Sequence, residues 1–171
     1  MTKKIVDAIN EHLTAANHYW PRSAFNHAEG QAVYLERWLA RCIGDATVEH
    51  CVATVDETEA TISYSALVLT AEMVIVGALS AARERGFQRL PDGVVHMVPR
   101  TAIQGLAVHH VEYFGYAEDT SASKEYVSFT ATFGGMPPAY VSLPSKGVTN
   151  DGRTGRMFDS LAADLLAAGK H

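Results

Sequence analysis

Apolar positions along this chain follow two periods in succession. Near the start they recur at helical spacing. At 100° per residue, Ile5, Ile9, Leu13, Ala16 and Trp20 fall on one narrow arc, the pattern of a helix with one buried face. Pro21 is expected to end it, because proline lacks an amide hydrogen and disfavours helical geometry in its predecessor. A second helix is expected from about Asn26, where Asn26-His27-Ala28-Glu29 has the form of a capping box. Ala28, Ala32, Leu35, Leu39, Cys42 and Ile43 share its apolar arc, with Trp38 beside them and Gly44 placed to end it. Together these segments predict a helical hairpin over residues 1–45.

From Val48 the period becomes that of strands. Runs over 48–55, 62–70, 72–79, 94–99 and 104–116 read as five strands, with Pro91-Asp92-Gly93 as a turn signal before the fourth. In a sixth, Val127, Phe129, Ala131 and Phe133 alternate with Ser128, Thr130 and Thr132, a one-face-in pattern. Gly134-Gly135-Met136-Pro137-Pro138 turns into a short seventh strand over 140–143. Met157, Phe158, Leu161, Leu165 and Ala168 then return to helical spacing up to Gly169, a helix near 153–168.

The segment from Leu67 to Leu106 suggests the meander of a small β-barrel. Ser65-Ala66-Leu67-Val68-Leu69-Thr70 followed by Met73-Val74-Ile75-Val76 resembles the second and third strands of bacterial pleckstrin-homology-like barrels and the related GRAM domains. Val98-Pro99-Arg100-Thr101-Ala102-Ile103-Gln104-Gly105-Leu106 resembles their fourth-to-fifth strand transition. The likeness covers roughly residues 46 to 169 and leaves the first 45 unaccounted for. It implies an α+β fold in two parts: the helical hairpin of 1–45, then over 46–171 a PH-like seven-stranded antiparallel β-barrel capped by the C-terminal helix. It also implies a non-enzymatic module that binds protein partners, including copies of itself, since bacterial relatives tend to self-assemble. Fold-level likeness alone is an associational warrant.

Two departures bear on ligands. Phosphoinositide-binding relatives place lysines and arginines between the first two strands, whereas here that loop is Asp56-Glu57-Thr58-Glu59-Ala60-Thr61. Each like charge opposing a phosphate costs roughly 1 kcal/mol at a partly screened surface. The next turn, often basic in the family, is Ala71, Glu72 and Met73.

Composition narrows the classes further. The 171 residues are 47% hydrophobic and 19% charged, enough for the core of one domain. A net charge of −5 with 14 basic residues argues against nucleic acid, whose binders neutralise phosphates. Cys42 and Cys51 form no Cys-x-x-Cys or zinc pattern and read as buried thiols. Asp7, Asn10, Glu11 and His12 interrupt any export signal, and apolar runs are strand-sized, so a soluble cytoplasmic protein is expected.

Candidate chemistry is sparse. His50, His96 and His109 or His110 fall on expected strands and would suit a metal if a barrel converged them. They lack ligand spacing, and adjacent strand residues point to opposite faces. Gly152-x-x-Gly155 precedes a helix, yet reads as the turn into it, with Asp151 or Thr154 as cap. Neither a nucleophile elbow nor a phosphate loop occurs. The candidate partner-binding residues are Trp20 and Trp38, which fit as interface anchors and at least as well as joints between hairpin and barrel, with Arg83, Arg85, Phe87 and Arg89 in a basic loop that Glu84 and Asp92 dilute. No catalytic residue, cofactor or metal ligand is assigned. Protein partners or self-association are expected, not nucleic acid or a membrane; the competing readings are an anionic-lipid module using the arginines and a small-molecule binder or enzyme using the histidines.

Overall fold

The structure, a computed structural model, describes residues 3–21, 31–82, 92–114, 124–142 and 151–169. Helices α1 (Lys3–Ala16) and α2 (Ala32–Ile43) precede strands β1 (Val48–Glu57), β2 (Thr61–Thr70), β3 (Met73–Ala82) and β4 (Asp92–Pro99). A 3-10 turn over Arg100–Ala102 leads into β5 (Ile103–Phe114), β6 (Lys124–Phe133), β7 (Ala139–Val141) and finally α3 (Arg153–Ala168).

Asn17, not Pro21, terminates α1. Its side-chain amide donates to the Ala53 carbonyl on β1, its Oδ1 accepts the Tyr19 amide, and the Trp20 amide folds back to the Asn17 carbonyl. An asparagine that satisfies backbone groups in this way competes with the next helical turn. The expected capping box at Asn26 lies outside the described residues. Helix α2 ends at Ile43, and Gly44, with its positive φ of 58° and its N–H to Ala40 O, forms the expected stop.

Alternation sorts the strand side chains onto two faces. Ala53 and Val55 of β1, Tyr64, Ala66 and Val68 of β2 and Ile75 and Leu79 of β3 pack with Ile9, Leu13, Leu35 and Leu39 of the helices. On the other face, Val52, Leu67, Leu69, Val74 and Val98 join Phe129 and Phe133 of β6 and Met157 and Leu161 of α3. The first sheet thus lies between the helical hairpin and the second sheet with α3. Close approach of α2 requires two glycines. A Cβ on Gly77 would stand 2.7 Å from Leu35 Cδ1, and one on Gly93 would stand 2.7 Å from both Trp38 Cζ3 and the Ala78 carbonyl oxygen. Gly93 therefore serves packing inside β4, not the turn its Pro-Asp-Gly context predicts.

The expected closed barrel does not form. β1-β2-β3-β4 make one antiparallel sheet and β5-β6-β7 a second. At the joint between them Pro99 offers no amide hydrogen, the 3-10 turn redirects the chain, and the Arg100 amide bonds to Glu72 O. β7 has three residues, pairs with β6 and shares no ladder with β1. Instead of plugging a barrel, α3 lies along the second sheet, with Phe158 edge-on to Phe129 at 5.5 Å, and reaches β1 through Arg153, which donates to Cys51 O.

Candidate binding site on the first sheet

Register turns the inner face of the first sheet into rows that run across its strands. One row is Val52, Leu67, Val76 and His96; the next is Thr54, Ser65, Ala78 and Val94; the last is Asp56, Ser63, Ser80 and Asp92. Burial falls along the series, from core to half-buried hydroxyls to exposed carboxylates. β5 shows the same gradient from the same corner. Ile103 is buried and Leu106 partly so, whereas Val108 and Val111 are 50% and 39% exposed although they stand opposite the core residues Phe129 and Val127. Among the described residues, the inner faces of both sheets cease to be core at matching distances from the Arg100 corner.

The closed end is held by Arg100. Its guanidinium donates to Glu49 and Asp164 carboxylates, each at 2.7 Å, to Ser160 Oγ at 2.6 Å and to Thr70 O at 3.1 Å. One planar fork thus ties β1, β2 and α3 together. The other end lies beyond the row of Val52 and Leu67. There the first sheet bears an open depression of about 320 Å³, lined by Asp56, Ser63, Ser65, Ser80, Asp92 and Val94 among others. Thr54 and Ser65 share a hydrogen bond across β1 and β2, and Ser63 Oγ donates to Ser80 Oγ at 3.3 Å. The floor is therefore a hydroxyl strip ending in a carboxylate on each side. It favours a cationic or hydrogen-bonding ligand over an anion.

The tryptophans lie elsewhere. Trp20 is 1% exposed, stacks edge-on against Tyr64 and donates from Nε1 to Glu36 Oε1 at 3.0 Å. Trp38 is half-buried against β4 at Gly93. Both join the hairpin to the first sheet. Arg83, Arg85, Phe87 and Arg89 lie outside the described residues. Thr154 does not cap α3; Gly152 stands at the cap position and Thr154 Oγ1 accepts the Val127 amide. Asp151 takes the Arg153 amide and guanidinium, and although burial opposes its charge, those bonds hold its carboxyl below the ordinary range.

The histidines do not converge. His50 and His96 are on opposite edge strands of the first sheet, and His109 and His110 are on the second. Burial, reinforced by Arg100 and Arg156, pushes the His50 imidazole below its ordinary range against the pull of Glu49. Nor do His109 and His110 face opposite ways. A bulge between Val108 and His110 lets His109 bond to Thr130 Oγ1 at 2.7 Å, on the face where His110 stands opposite Ser128. Among the described residues no group of three or more His, Cys, Asp or Glu side chains is placed to hold a metal ion. The thiols are unlinked, and burial pushes Cys51 up to about 12.

Sequence reasoning placed Asp56 in an acidic tip and Asp92 in a turn, and missed that they close one row. The signal was present: along β1, β2 and β3 the parity that carries Val52, Leu67 and Val76 switches to Thr54 and Asp56, Ser65 and Ser63, and Ser80. A face that turns polar halfway along several adjacent strands marks where its cover ends. No described helix is long and apolar enough to cross a membrane. Compared with known proteins, the chain matches no family model, no curated protein and no solved structure.

Proposed function

We propose that this chain is a non-enzymatic polypeptide-binding module whose open end takes an extended segment carrying basic side chains. The row Asp56, Ser63, Ser80 and Asp92 carries the reading. Its end carboxylates stand three strand spacings apart, about 14 Å at ~4.8 Å each. An extended peptide advances ~3.4 Å per residue, so two lysines four positions apart, on one face, span about the same distance. Ser63 and Ser80 hydrogen-bond the segment between them, and the exposed Val94 supplies apolar contact. The same carboxylates and the net charge of −5 disfavour an anionic lipid surface.

Exposed ion pairs contribute roughly 0.2–1 kcal/mol each, so two of them with the hydroxyl and Val94 contacts give weak binding, on the order of 1 mM or weaker, where the net free energy is about 4 kcal/mol. Fluorescence anisotropy of a labelled Lys-Val-Ser-Val-Lys peptide tests this. Saturable, salt-weakened binding is expected, about fivefold weaker in the double variant Asp56→Asn, Asp92→Asn. The control Glu11→Gln, Asp159→Asn removes the same net charge from exposed positions on α1 and α3 and should leave binding unchanged. Equal loss in both double variants, or no binding at all, would remove the reading.

A further inference from the structure

We infer that two copies of this chain pair through β5, antiparallel, about a two-fold axis at Val111. The inference does not draw on the peptide reading. Among the described residues β5 is the end strand of its sheet, and from Ala107 to Glu112 every side chain is exposed, with Val108 and Val111 the large apolar ones. An end strand of this kind offers a row of unpaired backbone groups to another strand.

Symmetry restricts the registers. Hydrogen-bonded and non-hydrogen-bonded residue pairs alternate along an antiparallel ladder. A two-fold axis normal to the ladder cannot exchange unlike pairs, so it must set one residue opposite itself. β5 is regular against β6 from His110 to Phe114, beyond the bulge at Val108/His110. Centring on His110 brings two imidazoles together and leaves Glu112 facing Val108. Centring on Glu112 brings two carboxylates together, which is destabilising. Centring on Val111 sets valine against valine on the core-side face. On the outer face it sets His110 opposite Glu112 of the second copy, twice. Only this register of the three is complementary in charge, and each imidazole N–H can donate to a carboxylate. The stretch His-Val-Glu reads the same, with charge complementarity, from either copy.

Sedimentation equilibrium of the full chain tests the pairing, with far-UV circular dichroism confirming that each variant is folded. A monomer–dimer equilibrium is expected. Val111→Lys should abolish it by opposing two ammonium groups at the axis. His110→Glu should weaken it about tenfold, since two like-charge pairs replace two complementary ones. The double variant His110→Glu, Glu112→Lys should restore it, because each new Glu then faces a new Lys. A monomer at all concentrations overturns the inference. So does a dimer that His110→Glu leaves intact, or one that the double variant fails to restore, because either places the contact or its register elsewhere.

Discussion

The hairpin buries a carboxyl group under unusual terms, and its substitution gives a sharp test of the packing. Glu36 is 1% exposed in the middle of α2. Its Oε1 accepts from Asn10 Nδ2 at 2.6 Å and from Trp20 Nε1 at 3.0 Å, while Oε2 has no hydrogen-bond partner among the described residues. Burial raises the pKa above its ordinary value; the Trp20 and Asn10 donors offset this in part, as does Arg37, while Asp7 on α1 adds to the rise. A raised folded pKa means that the fold holds the proton more tightly than the unfolded chain. The stability from that proton is complete below the unfolded value and is lost as pH rises through the folded one. Within that window the loss reaches about 1.4 kcal/mol per pH unit.

Glu36→Gln removes the titration and keeps an acceptor for both donors. Its new amide hydrogens lie where Oε2 has no partner, a fixed cost of about 1–3 kcal/mol that does not depend on pH. The difference between variant and parent should therefore move in favour of glutamine as pH rises from below 4.5, the ordinary glutamate value, through the raised one. In a chain of 171 residues each kcal/mol corresponds to about 2–4 °C in Tm. Thermal melts of both proteins from pH 4 to 8, followed by tryptophan fluorescence, read the difference directly. Parallel Tm profiles would show that Glu36 titrates alike in both states, and the argument for a penalised buried charge would fail.

Other substitutions probe the remaining contacts. Phe158→Asp places a charge against Phe129 in the core shared by α3 and the second sheet, and should cost roughly 2–4 kcal/mol in chemical denaturation; unchanged melting would refute the packing of α3. Arg100→Lys should be destabilising by about 1–3 kcal/mol despite keeping the charge, because one ammonium cannot satisfy acceptors on β1, β2 and α3 at once; a denaturation midpoint equal to that of the parent would count against it. Vesicles containing phosphoinositide should bind no better than high micromolar at physiological salt in co-sedimentation, given the acidic tip at Asp56 and Glu57; tight, salt-sensitive binding would reverse that ranking.

How far the fold was legible depends on which interaction decides each feature. Local patterns carry element type well: alternation along β6 and the apolar spacing of Met157, Leu161 and Leu165 are consequences of side-chain geometry within one element. Closure is not local. Whether β4 continues into a ladder with β5 depends on the amide that Pro99 lacks and on where the Arg100 amide goes, which a periodicity cannot express. Side-chain competition was likewise hidden: an apolar arc through Trp20 looks continuous until Asn17 finds Ala53 on a strand 36 residues away. From the sequence Trp20 and Trp38 fit equally as interface anchors and as joints between the hairpin and the strands, because a helix pattern does not say what covers it. Their partners, Glu36 and Gly93, identify them as joints.

The open end follows from the corner that the sequence did not reveal. Arg100 is fixed from both sides, by carboxylates of β1 and α3 and by a backbone carbonyl of β2, so the sheets and α3 are clamped at one extremity. α3 then fills the space beside that clamp with Met157, Leu161 and Leu165, and starts at Gly152 where Thr154 takes the β6 amide of Val127. On the inner face of the first sheet the row of Val52 and Leu67 is buried, and the rows beyond it bring Thr54, Ser65, Ser63, Ser80 and the carboxylates Asp56 and Asp92 in beside Ala78 and Val94. Burying Asp56 or Asp92 between sheets would leave a charge unpaired at a cost of several kcal/mol, which opposes extending the core over that row. That cost limits how far the core extends on this face, and Ser63 and Ser80 lie between the two carboxylates beyond it.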